Sequence, residues 1–212
     1  RASLSNQSDF SWTLDNLIYY DKEFGKHSVG LTLLQSATGY HYEESSMAAE
    51  GIPLESAKWN ALSKENVSLL DEWNSGLIEK QLLSYMFRVN YDYNNKYLLT
   101  VSGRWDGASQ LAEGNKWAFF PSAALGWRLD QEEFLKDVTW LNQLKFRLGV
   151  GVTGNSAIDP YQTKGAIVSL YYPFGSALAP GYAASEPLIK DGAVAMANKN
   201  LSWEKTTQYN IG

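Results

Sequence analysis

Residues 83–107 read LSYMFRVNYDYNNKYLLTVSGRWDG. From Leu83 to Tyr93 every second residue is apolar or aromatic: Leu83, Tyr85, Phe87, Val89, Tyr91 and Tyr93, with Ser84, Met86, Arg88, Asn90 and Asp92 between them. After Asn94-Asn95-Lys96 the alternation resumes in Tyr97, Leu99, Val101, Gly103 and Trp105. Successive side chains of a strand point to opposite faces, so the stretch predicts a β-hairpin with one apolar and one polar face. Asparagine tolerates the left-handed backbone that a tight turn requires. What covers the apolar face, a protein core or lipid, decides the fold.

The same period recurs outward from this hairpin. Phe10 to Tyr20, interrupted at Asn16, and Val29 to about Tyr40 read as two earlier strands. Trp117 to Leu129, Leu144 to Val152 and Leu201 to Ile211 read as three later ones, giving about seven in all. Several runs reach 11–13 residues, against about 5–6 for a globular strand and ~9–11 for one that crosses a membrane. The links 21–26, 94–96 and 130–142 are short or moderate, whereas 41–77 and 154–200 are long. In an up-and-down meander successive links fall at opposite ends, so the long ones gather at one end, as in outer-membrane barrels. Tyr19, Tyr20, Tyr40, Tyr42, Tyr91, Tyr93, Tyr97, Trp105, Trp117, Trp127 and Trp203 lie near strand ends, where rings with a polar tip suit a lipid–water boundary. A soluble β-sandwich would also alternate on its buried face; strand length, loop asymmetry and aromatic position favour the membrane barrel.

Composition removes other classes. The chain of 212 residues has a net charge of −5, so no general nucleic-acid footprint is expected. It has no cysteine, hence no disulfide and no thiolate metal site. No apolar run approaches the ~18–20 residues of a transmembrane helix. Residues 131–141, QEEFLKDVTWL, carry helical spacing and predict a short helical turn, with Asp130, Glu132 and Glu133 favouring its N-terminus. Residues 55–75 and SALAPGYAASEP (176–187) read as loop.

Three further stretches carry a resemblance. NKWAFFPSAALGWRLDQEEFLKD (115–137), LKFRLGVGVTGN (144–155) and LSWEKTTQYNIG (201–212), with YNNKYLLTVSGRWDGAS (93–109), resemble the C-terminal part of the barrel of SusC/RagA-type TonB-dependent transporters. The resemblance implies an all-β, antiparallel, up-and-down transmembrane barrel of 22 strands with long extracellular loops, of which residues 1–212 supply part. It implies a bacterial outer membrane of the Bacteroidetes type, a SusD-like surface lipoprotein, and the TonB complex acting through a plug. The plug and TonB box are expected outside these residues, since the chain opens on Arg1 and stops at Gly212 within a strand-like pattern. Glycan import is the leading expectation; an oligopeptide importer of the same family and a soluble carbohydrate-binding module are the alternatives. In such a barrel Arg88, Asn90, Asp92, Arg104, Asp106, Arg128, Lys145, Arg147 and Glu204 would face the lumen, and Leu83, Tyr85, Phe87, Val89, Leu99 and Val101 lipid.

GVGVTG (149–154) matches G-x-G-x-x-G, but Asn155 and Pro160 oppose the helix that a dinucleotide site needs. The glycines fit a crowded strand better. In YHYEES, His41, Glu43 and Glu44 read as solvated loop residues rather than a metal site. No catalytic pair or triad stands out and no cofactor is expected, so the chain reads as no enzyme. Aromatics of the long links, Trp59, Trp73, Tyr171, Tyr172, Phe174 and Tyr182, are the candidate substrate-binding residues, because sugar rings stack on flat aromatic faces; their plainer reading is glue between loops or to the lipoprotein.

Overall fold

The computed structural model describes residues 1–51, 60, 69–135, 138, 140–164, 166–174, 177–186, 188–190, 193–195 and 198–212. Eleven strands are seen among them: β1 (Ala2–Phe24), β2 (His27–Glu50), β3 (Leu69–Tyr93), β4 (Tyr97–Ala108), β5 (Trp117–Arg128), β6 (Lys145–Asn155), β7 (Ala166–Phe174), β8 (Ala177–Glu186), β9 (Leu188–Lys190), β10 (Ala193–Ala195) and β11 (Glu204–Ile211). Seven form one sheet in the order β1-β2-β3-β4-β5-β6-β11. It is an up-and-down meander. Only the last step departs from chain order, because two separate hairpins, β7–β8 and β9–β10, lie between β6 and β11. Residues 1–13 with 38–81 form one compact unit, and 14–37 with 82–212 another.

The larger unit contains the hairpin that decides the fold. Tyr93 pairs with Tyr97 and Leu82 with Ala108 in the β3–β4 ladder. Asn94 (φ 56°) and Asn95 (φ 53°) take the left-handed conformation at the turn, and the Asn95 amide donates to Asp92 Oδ1 at 2.7 Å. Neighbouring turns are laced together: the Asn94 amide donates to the Lys26 carbonyl at 2.6 Å and the Arg128 amide to the Lys96 carbonyl at 2.9 Å. Bonds from Ala112 to the Leu201 carbonyl at 3.1 Å and from Gln110 to the Ser156 carbonyl at 2.9 Å bring the other links together at the opposite strand ends.

Register fixes the two faces. Leu99, Leu125 and Leu148 lie in one row, as do Val101, Ala123 and Val150. This apolar face has little protein over it: Leu125 is 56% exposed, Tyr85 49% and Val150 43%. An apolar face of this size left open to water would be a strong aggregation or association surface. Two belts of rings bound it. Near the short turns, Phe24 stacks on His27, His27 meets Tyr93, Tyr93 stacks on Tyr97, and Tyr97 on Trp127 at 6.4 Å. Towards the other ends, Tyr85 stacks on Trp117 at 6.3 Å, and Trp105 meets Trp117 and Phe119 edge-on at 6.4 Å. Tyr97 to Trp105 and Trp117 to Trp127 span about 26–33 Å of strand. Tilted by ~40°, that is about 20–25 Å, the height of the apolar band on an outer-membrane barrel.

The smaller unit corrects the expected loop at 41–77. Here β2 continues to Glu50 and β3 begins at Leu69, as strands of 24 and 25 residues. The backbone ladder does not require apolar alternation, and polar bridges replace it as the local glue: His41 Nδ1 meets Glu79 Oε1 at 3.1 Å and Asn74 reaches Glu44 Oε1 at 3.4 Å. His41, Glu43 and Glu44 are therefore strand residues with partners rather than loop residues, and the His41 and Glu43 side chains stay open to solvent as expected.

Three more expectations change. Asn16 does not interrupt β1, because its amide donates to Gln35 Oε1 at 2.6 Å. Residues 177–186 are strand β8, paired to β7 through Tyr172↔Ala179 and Ser169↔Tyr182. Both strands of a two-stranded sheet are edges, which is where proline is tolerated, as at Pro173 and Pro180. The expected helical turn at 131–141 is two 3₁₀ turns, Leu129–Gln131 and Glu133–Leu135. Their acidic residues bind side chains of neighbouring strands.

Candidate functional site

The polar face is continuous across five strands. Ladder positions place Arg88 opposite Ser102, Asp92 opposite Leu98, Arg104 opposite Phe120, Asp106 opposite Ala118, Gly126 opposite Arg147 and Arg128 opposite Lys145. Period-two alternation puts Arg88, Asp92, Arg104, Asp106, Arg128 and Arg147 on one face, with Asn90, Lys145 and Glu204. Its middle is small and uncharged apart from Arg88, which lies opposite Ser102. One row runs Ser102, Ser122, Gly151, Gln208, and the next Thr100, Ala124, Gly149, Asn210. Ser102 and Ser122 share a hydrogen bond at 2.7 Å, and Thr100 donates to Asn90 at 3.0 Å.

The glycines of the G-x-G-x-x-G match lie in β6 between two partner strands. A Cβ on Gly151 would come 3.3 Å from Ser122 Cβ, and the Phe120 ring lies directly over Gly154. Gly151 and Gly154 thus serve close packing of a strand, whereas a Cβ on Gly149 would meet only ordinary contacts, 3.9 Å from Asn210 Cβ. Phe120 in turn meets Trp203 edge-on at 5.2 Å.

Two arginines of this face are held by aspartates. Arg104 Nε donates to both Asp106 oxygens at 2.7 and 2.9 Å, while Arg104 Nη2 donates to the buried Ser84 hydroxyl at 3.0 Å. Near the short turns Arg128 Nη2 donates to Asp130 Oδ2 at 2.8 Å. That bond, with a second from Gln131, holds the Asp130 carboxyl at about 2, below its ordinary 3.8.

Sequence reasoning gave Glu132 only a place at the start of a helical turn and missed what it binds. Its carboxylate accepts from Trp127 Nε1 at 2.9 Å, Tyr97 Oη at 2.8 Å and Lys96 Nζ at 3.1 Å. The bond from Trp127, then those from Tyr97 and Lys96, lower its pKa, and Glu132 raises that of Lys96. The polar tips of two belt rings are thus tied to one carboxylate outside the strands. Its spacing of five residues from Trp127 was visible, but only strand pairing brings in Tyr97 and Lys96 from 35 and 36 residues away.

The nominated aromatics do not form one group. Trp73 lies on strand β3 rather than in a loop, and is 76% exposed. Tyr171, Tyr172 and Phe174 lie on β7 and Tyr182 on β8, so they too are strand residues; their side chains fall outside the described residues, as does Trp59 altogether.

With this geometry in view, comparison with known proteins places the chain. All of residues 1–212 match the family described as TonB dependent receptor-like, beta-barrel. The chain belongs to the TonB-dependent receptor β-barrel family. TonB-dependent receptor SusC of Bacteroides thetaiotaomicron is 40% identical over 164 residues, 73% of this chain and 15% of that protein. TonB-dependent receptor P3 of Formosa agariphila is 33% identical over 201 residues, 93% of this chain and 19% of that protein. The solved RagAB peptide importer in its open-open state superposes with a TM-score of 0.82 at 23% identity, covering 99% of this chain and 22% of that one. The chain thus spans about a fifth of these relatives, as a section of a TonB-dependent receptor barrel. The family consists of outer-membrane transporters, not enzymes.

Proposed function

We propose that residues 1–212 form part of the barrel wall of an outer-membrane importer of oligosaccharides, which works with a SusD-like surface lipoprotein. The plug and the TonB-contacting segment lie elsewhere in the full-length protein. On this reading Arg88, Asp92, Arg104, Asp106, Arg128 and Arg147 face the lumen, and the belted apolar face meets outer-membrane lipid. Ligand would be captured at the loop end beneath the lipoprotein, and TonB-driven movement of the plug would release it inward. No bond of the ligand is made or broken.

The character of the polar face carries the choice of a sugar. Its centre is built of Ser102, Ser122, Thr100, Asn90, Gln208 and Asn210, hydroxyls and amides that both donate and accept. Arg104 and Arg128 are each paired with an aspartate, which leaves Arg88, opposite Ser102, and Arg147 as the cations that line it. Such a lining matches a neutral, hydroxyl-rich ligand better than a charged peptide.

Uptake by cells carrying the full-length protein tests this. Labelled oligosaccharide should accumulate in a TonB-dependent manner while oligopeptides of similar size do not. Accumulation of peptide alone would overturn the choice of ligand, and solubility of the parent without detergent would overturn the barrel.

A further inference from the structure

Two breaks in the apolar alternation meet on the belted face of the larger unit. Along β1 the alternation reads Leu14, Asn16, Ile18 and Tyr20, and along β2 Leu31, Leu33, Gln35 and Ala37. The two amides are partners: Asn16 Nδ2 donates to Gln35 Oε1 at 2.6 Å. With Ile18, Leu33, Tyr85 and Phe87, among others, they line a groove of about 410 Å³. Ile18 is 63% exposed and Phe87 40%, so the groove is open. Trp105 and Phe119 line it too, which sets the amides at the level of the belt remote from the short turns. No charged residue lines it among the described residues. An amide on a lipid-facing strand is costly unless its polar atoms are bonded. The pair satisfies one donor and one acceptor, and leaves Asn16 Oδ1 to accept and the Gln35 amide group to donate. Exchanging the roles of the two amides leaves the same complement.

We infer that the groove is a site for an outer-leaflet lipid whose acyl chain is joined through an amide, with that linkage bonded to Asn16 and Gln35 and the chain lying along Ile18, Leu33 and Phe87. The inference rests on the reading that the belted face meets lipid. An aromatic belt marks the boundary between headgroups and acyl chains, which is where the chain linkages of a bilayer lipid lie. An amide linkage donates through its N–H and accepts through its C=O, and so matches what the pair has left. An ester only accepts, and would leave Asn16 Oδ1 bare. A phosphate would find no lysine or arginine in the lining, so recognition falls on the linkage and not on the headgroup.

Photolabelling of the full-length protein in lipid vesicles tests this. One probe is a phosphatidylcholine with a diazirine in its sn-2 chain, and the other is its analogue with the sn-2 ester replaced by an amide. Peptides carrying Ile18 and Phe87 should be labelled about fivefold more by the amide probe, the worth of one net hydrogen bond. Peptides carrying Leu125 and Leu148 should be labelled alike by both. Asn16→Leu combined with Gln35→Leu, in protein that keeps its heat-modifiable migration, should abolish the preference. Equal labelling of the groove by the two probes in the wild-type protein, or a preference that survives the double variant, would overturn the lipid site and leave the barrel standing. A groove labelled by neither probe, beside labelled Leu125 and Leu148, would show that something other than lipid covers it and would also overturn the site. Loss of label at Leu125 and Leu148 as well would overturn the lipid-facing reading itself.

Discussion

Glu132 shows how one residue outside the strands can fix several within them. A tyrosine and a tryptophan at a bilayer boundary ordinarily satisfy their polar tips with water or headgroups. Here Tyr97 and Trp127 donate to the same carboxylate oxygen, and Lys96 holds the other. Glu132 and Asp130 both ionise more readily than usual. A carboxylate with a depressed folded-state pKa stabilises the fold above its ordinary value, and that contribution disappears as pH falls through the folded-state value. For Asp130 the window runs from 3.8 down to about 2. Acid titration of the detergent-solubilised full-length protein should therefore show stability falling across that range, with a shallower fall in Asp130→Asn. Glu132→Ala should shift the emission of Trp127, which loses its bond to the carboxylate.

The Arg104–Asp106 pair makes a second prediction at this scale. Asp106 accepts twice from Arg104, which also holds the buried Ser84. Asp106→Ala should cost about 1–3 kcal/mol in thermal or denaturant unfolding, as the loss of charge-assisted bonds to a part-buried guanidinium.

Register is the property that matters for the elements, because a slip of one residue exchanges the faces of a strand. Val101 and Ser102 are neighbours in β4 but belong to opposite faces. Val101→Arg should cost about 2–4 kcal/mol near the bilayer midplane, whereas Ser102→Asp, which sets a carboxylate opposite Arg88 on the polar face, should cost much less; refolding into lipid vesicles under urea would compare them. Close packing gives another test. A Cβ at Gly103 would sit 2.6 Å from the rings of both Phe87 and Phe119, so Gly103→Val should destabilise by about 1–3 kcal/mol through overpacking.

The existence of the seven strands of the main sheet, their pairing order and the Asn94-Asn95 turn were legible in the sequence because all three depend on local period and local backbone preference. Strand length in the smaller unit was not. From His41 to Glu50 the apolar alternation fades while ladder hydrogen bonds continue, and bridges such as His41 to Glu79, 38 residues apart, take over. Nor was β8 legible, since its alanines, glycine and prolines carry the composition of a loop. Among the site residues, alternation alone grouped the charges that register places on one face, but it could not pair Arg104 with Asp106 or gather three donors around Glu132.

At the scale of the whole molecule, the account rests on one physical contrast. A seven-stranded sheet with a broad apolar face would collapse or aggregate in water, yet here that face is bounded by aromatic belts about 20–25 Å apart. Edge strands β1 and β11 have unpaired backbone groups on their outer sides in this sheet, and lipid does not tolerate open edges. The full-length barrel is expected to supply strands on both sides.

The most direct test is a nitroxide scan along β5 in the full-length protein reconstituted in lipid, with single cysteines placed in turn at residues 120–126. Ala123 and Leu125 should be accessible to oxygen dissolved in the bilayer and shielded from a water-soluble nickel reagent, while Ser122, Ala124 and Gly126 show the reverse or are shielded from both. Oxygen access that fails to alternate with a period of two, or nickel access at Ala123 and Leu125, would contradict the account.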